Sequence, residues 1–185
     1  MRLPQLRHPI RLQRQNHKKM KDTRFALGLF LVLLCLVVTG CSSIHDDNDV
    51  MERIVVGDRV PSFSVSVVDN GSPATFSTNH LTGETVIVFF STLCGDCKRE
   101  LPELNDYYLR HKDDPGFQMV AISRGEGENL VAPFWEEYDL QIPYSAQSDR
   151  QIYNLFASSI IPRVYFVSAQ GLVTRILIEN FEVGE

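Results

Sequence analysis

The segment VIVFFSTLCGDCKRELP, residues 86–102, restricts the fold of this chain more than any other stretch. Val86, Ile87, Val88, Phe89 and Phe90 form an unbroken β-branched and aromatic run, which suits a central strand buried on both faces. Cys94 and Cys97 follow at Cys-x-x-Cys spacing, and Leu101, Leu104 and Tyr108 then recur at helical spacing over 95–111. A strand therefore delivers two thiols to the start of a helix, a context far more specific than the four-residue pattern alone. The helix N-terminus offers unpaired N–H groups and the positive end of the macrodipole, which favour a thiolate at Cys94. Cys97, three residues on, shares that face and is placed to attack a mixed disulfide formed at Cys94. The pattern points to thiol–disulfide exchange.

Around this centre the chain alternates strand and helix signals. Residues 63–68 read as a strand that turns at Asp69, Asn70 and Gly71 into a return strand over 74–77. Residues 117–122 read as a second buried strand, 129–138 and 150–156 as helices, and 163–167 with 172–178 as a terminal hairpin around Ala169, Gln170 and Gly171. This order predicts a mixed α/β sheet with helices on both faces. At 185 residues and 44% hydrophobic content the chain holds one ordinary domain plus a tail. The chain stops at Glu185, soon after the last strand, which leads one to expect a sheet face with less cover.

The tail is chemically distinct. Residues 1–40 hold eight of the 18 Lys and Arg and one of the 23 acids, so residues 41–185 carry about −12, which excludes nucleic acid as a partner of the folded part. An apolar block, FALGLFLVLLCLVV at 25–38, follows Lys18, Lys19, Lys21 and Arg24 in the layout of an export signal. It ends in Val38-Thr39-Gly40-Cys41, which resembles a bacterial lipobox. That resemblance implies cleavage after residue 40, lipidation of Cys41 and loss of Cys35 with the signal. Met20 opens a signal of more ordinary length than Met1 does. Residues 41–53 are polar and acidic and are expected to form a tether, with the folded domain spanning 54–185. Ser42 after the cysteine resembles the outer-membrane class of lipoproteins. The Asp46, Asp47, Asn48, Asp49 run resembles a surface-export signal, although a solvated linker explains it as well.

Over residues 56–178 the chain resembles the thioredoxin superfamily, and within it the membrane-tethered TlpA and ResA-like oxidoreductases. The resemblance rests on the cysteine pair, on Pro102 five residues after Cys97, on Glu100 three after it, on Ile161-Pro162 before RVYFV, and on DRQIYNLF at 149–156. It implies a thioredoxin-like three-layer fold with an N-terminal hairpin extension. It also implies a cis peptide at Pro162 that leaves the Ile161 backbone free for substrate beside Cys94 and Cys97. Arg163, the next residue, is a candidate to present charge at that groove, or simply to face solvent. Three departures stand out: Val88 occupies the position of thioredoxin's buried aspartate, Leu93 replaces the aromatic before the first cysteine, and the C-terminal helix is missing or short. Glu100 remains as general base for Cys97, or as a surface residue paired with Lys or Arg.

The resemblance implies an envelope enzyme, facing the periplasm on a lipid anchor, that needs no cofactor. It would exchange with protein thiols and disulfides and with a membrane electron donor or acceptor. Gly95 and Asp96, between the cysteines, bear on redox direction. Negative charge at Asp96 and Glu100 disfavours thiolates, and a less stable dithiolate makes a stronger reductant. Two other classes stay open. A peroxiredoxin-like thiol peroxidase would want a proline and a Thr or Ser at positions held here by Ile87 and Ser91. A metal-binding or structural lipoprotein would want further ligands, yet His45, His80 and His111 are not at ligand spacing.

Overall fold

The computed structural model describes residues 52–179. The apolar block, Cys35, Cys41 and all of the tether before Glu52 lie outside them. A seven-stranded mixed sheet forms the centre, in the order β2-β1-β5-β4-β3-β6-β7. The strands are β1 (Ser64–Asp69), β2 (Ser72–Ser77), β3 (Thr85–Phe90), β4 (Gln118–Ser123), β5 (Tyr144–Ser145), β6 (Arg163–Val167) and β7 (Val173–Ile178). The helices are α1 (Gly95–His111), α2 (Glu128–Glu137) and α3 (Tyr153–Phe156).

Strand β3 is solvent-free along its whole length, parallel to β4 on one side and antiparallel to β6 on the other. Its alternating side chains sort the helices between the two faces. Phe90 packs on Phe134 and Trp135 of α2, and Phe166, on the face that Val86 shares, packs on Tyr107 of α1. Phe89, on the opposite face, meets Tyr153 and Phe156 of α3 and Tyr165 of β6. Helices therefore cover both faces, as the order of elements predicted. Among the described residues no helix is long and apolar enough to cross a membrane.

Hairpin β1–β2 turns at Asn70 and Gly71, both at positive φ, as a tight two-residue turn requires. It joins the sheet through β5, a two-residue strand without a sequence signal. Tyr144 pairs with both Val68 and Ala121, and the Ser145 hydroxyl donates to the Ser66 carbonyl at 2.6 Å.

The folded unit also begins earlier than the expected boundary at Ile54. Glu52 bridges to Ala157 and accepts from the fully buried Arg163. The Arg53 N–H donates to the Phe156 carbonyl at 3.1 Å, and its guanidinium to the Asn154 carbonyl at 2.6 Å. The sequence reads as a loose tether at these two residues because nothing local marks them as structured. Their partners lie about a hundred residues downstream.

At the end of β3 remote from the cysteines, two backbones pass in contact. A Cβ on Gly83 would sit 2.5 Å from the Gly116 carbonyl oxygen, and one on Gly116 2.6 Å from that of Thr82. Neither neighbour is a flexible side chain. The Gly83→Ala variant should lose about 1–3 kcal/mol of stability in denaturant titration, the cost of forcing backbone apart. Gly95→Ala, where an added Cβ meets nothing within 4 Å, should lose much less; equal losses would show that the close approach is not a constraint.

Candidate functional site

The site is built where β3 ends. Phe90 is the last strand residue, Ser91 to Leu93 turn the chain, and α1 starts at Gly95 with Cys94 as its N-cap in extended conformation. Because β3 and β4 are parallel, the loop after β4 comes to the same end of the sheet. That loop carries Glu126, a buried carboxylate. One of its oxygens accepts from the Ser91 hydroxyl and the other from the Thr92 N–H, each at 2.7 Å. The Ser91 carbonyl in turn accepts the Cys94 N–H at 3.2 Å. Glu126 thus fixes the turn that presents Cys94. The sequence does not reveal it, because a Glu between glycines reads as loop surface and only the β3–β4 pairing brings it to the turn before Cys94.

The two thiols stand in different surroundings. Cys94 is half-buried beside Leu93, whose side chain is 84% exposed. Its sulfur accepts the Cys97 N–H at 3.3 Å, one of the orphan amides of the first turn. Cys97 is fully buried. Burial pushes its thiol well above the ordinary range, hydrogen bonding to Cys94 adds to this, and the charges of Cys94 and Glu100 add further, against an opposing backbone hydrogen bond at Ser91. The negative charge of Glu100 thus raises the Cys97 thiol, as expected, although burial is the larger cause. The Asp96 carboxylate is turned to Arg99 at 2.6 Å in an exposed pair.

Glu100 lies between its two expected roles. It is buried, not on the surface, and pairs with Arg99 at 3.3 Å. Pro102 sits inside α1, where its nitrogen has no hydrogen for the Lys98 carbonyl.

The Ile161-Pro162 peptide is cis, and its loop faces the cysteines: the Cys94 thiol donates to the Ile161 carbonyl across 3.6 Å. The structure thus brings together Cys94, Cys97, Ile161 and, through Cys97, Glu100. Arg163 departs from both of its expected placements. It neither lines a groove nor faces solvent; its side chain is wholly buried on the face of Phe89. Neither of two clefts of about 320 and 280 Å³ is lined by any of these residues. Among the described residues no group of three or more His, Cys, Asp or Glu could hold a metal ion.

Comparison with known proteins places this geometry in a family. Residues 56–176 match the AhpC/TSA family model. The chain is 30% identical over 173 residues to the thiol-disulfide oxidoreductase ResA of Oceanobacillus iheyensis, covering 91% of this chain and 88% of that one. It is 26% identical over 161 residues to ResA of Bacillus subtilis, covering 86% and 87%. A crystal structure of a thiol:disulfide interchange protein of the thioredoxin family from Chlorobium tepidum superposes with a TM-score of 0.58. That match has 22% identity, covers 69% of this chain and 89% of that one, and shows the shared fold. Family model, relatives and fold agree with the cysteine pair at the strand–helix junction, and the chain belongs to the AhpC/TSA family as a thioredoxin-fold, ResA/TlpA-like thiol-disulfide oxidoreductase.

Proposed function

We propose that the chain reduces protein disulfides in the bacterial envelope, with Cys94 attacking and Cys97 resolving. The observation that carries this reading is the unequal placement of the two sulfurs: one half-buried at a helix N-cap beside an exposed leucine, the other fully buried behind it. The Cys94 thiolate attacks one sulfur of the substrate disulfide, forms a mixed disulfide and expels the other sulfur as thiolate, which takes up a proton. Cys97 then gives up its proton and attacks Cys94; the Cys94–Cys97 disulfide forms and the second substrate thiol leaves. Two electrons pass to the substrate, and a membrane electron donor restores the dithiol. Glu100, buried on the same helix, takes the Cys97 proton in this scheme. The Ile161 backbone, with Pro162, receives the substrate chain, and Gly95 and Asp96 face outward where they tune the couple.

The Ser91 hydroxyl, three residues before Cys94, donates to Glu126. That engagement weighs against a peroxidase reading, which needs the hydroxyl at the cysteine. Insulin reduction with dithiothreitol tests the assignment: Cys94→Ser should abolish turnover, and Cys97→Ser should accumulate a mixed disulfide. Equal activity in wild type and Cys94→Ser would refute it.

The same asymmetry supports the reductive direction. A strongly oxidising couple needs a reduced form stabilised as thiolate, whereas here burial holds Cys97 protonated. Titration against glutathione should give a potential nearer about −270 mV than about −120 mV. A value at the oxidising end would reverse the proposed direction.

The envelope location rests on the N-terminal sequence. Signal cleavage before Cys41, lipidation of Cys41 and retention at the outer membrane fit the basic stretch, the apolar block and Ser42. Palmitate labelling of the full chain should disappear in Cys41→Ala, with release from the membrane fraction. Labelling that persists would show that Cys41 is not the acceptor.

A further inference from the structure

Arg163 is an unusual residue for a central position in a sheet. Its side chain has no exposure, and taking a guanidinium out of water costs several kcal/mol before any partner is counted. An apolar residue packed beside Phe89 would avoid that cost. The arginine spends its hydrogen bonds on the segment before Pro162: Nε donates to the Ser159 carbonyl at 3.0 Å and the Ile160 carbonyl at 2.9 Å. The hydroxyl of Tyr153, also buried, reaches the same two carbonyls at 2.6 and 2.9 Å. Glu52 balances the charge from the other side of the guanidinium.

The segment so gripped has a conformation it would not hold alone. Ile160 lies at φ 64°, in the left-handed region, where a β-branched residue is a rare outlier that persists only when its surroundings over-determine it. The next carbonyl along, that of Ile161, is the one that faces the Cys94 sulfur. We propose that Arg163 and Tyr153 are positioning residues that hold the 159–161 backbone in the conformation that receives the main chain of a protein disulfide beside Cys94. This inference rests on the oxidoreductase reading and adds to it a device that discriminates substrates. A protein disulfide brings flanking backbone that pairs with a loop of fixed shape, whereas a small disulfide needs the sulfur alone.

The test compares two substrates on the full chain in detergent: insulin, and the small aromatic disulfide 5,5′-dithiobis(2-nitrobenzoate). Tyr153→Phe removes the hydroxyl and keeps the ring. Its kcat/KM for insulin should fall about five- to tenfold, mainly through KM, the size expected for one hydrogen bond. The small disulfide should lose at least threefold less. Arg163→Lys keeps a cation opposite Glu52 without the Nε–H, so it should show the same split while melting closer to wild type than Arg163→Met does. Parallel losses on both substrates, or no loss on insulin, in Tyr153→Phe and Arg163→Lys would overturn the inference alone. Insulin turnover surviving in Cys94→Ser would overturn it together with the oxidoreductase reading.

Discussion

Strand β3 is dry on both faces, and the remaining elements take their places from that fact. A backbone with no access to water must pair on both edges, which brings β4 and β6 alongside. Its side chains, alternating in direction, need apolar cover on each side, which α1 and α2 supply on one face and α3 with its aromatic neighbours on the other. The chemistry emerges where this burial ends. The chain must leave the core after Phe90, and within four residues it has placed a sulfur at the positive end of a helix.

Much of this was legible in the sequence because its signals are local. The β3 run, the 95–111 helix and the hairpins around Gly71 and Gly171 are written in consecutive residues, and the observed elements match them within a residue or two at most ends. The features that escaped are set by partners far along the chain. Strand β5 is two residues long and exists because β1 and β4 lie on either side of it. Arg163, charged and next to a proline, reads as surface until its carboxylate partner 111 residues earlier is known. Glu126 is hidden for the same reason, its partners lying 34 and 35 residues upstream.

The site thus has two layers of origin. The cysteine pair is a local motif on a helix end, and the family resemblance extends it to Pro162. What holds it in place is a set of polar groups contributed from outside the motif: the buried Glu126 under the turn before Cys94, and the buried Arg163 and Tyr153, with the partly exposed Glu52, behind the loop opposite. A buried polar group costs free energy unless it is satisfied, so these groups fix one arrangement of the backbone where apolar packing alone would tolerate several.

The unequal burial of the two sulfurs also governs how the protein meets oxidants that are not its substrates. A peroxide arriving from solvent would meet Cys94 before Cys97, and oxidation there would give a sulfenic acid, the first rung of a ladder whose higher rungs are irreversible. Cys97 stands in hydrogen-bond contact with that sulfur, shielded from the same oxidant. Condensation of its thiol with that sulfenic acid would release water and close the Cys94–Cys97 disulfide. Such an oxidised protein would hold the ordinary disulfide of the couple, from which reduction restores both thiols.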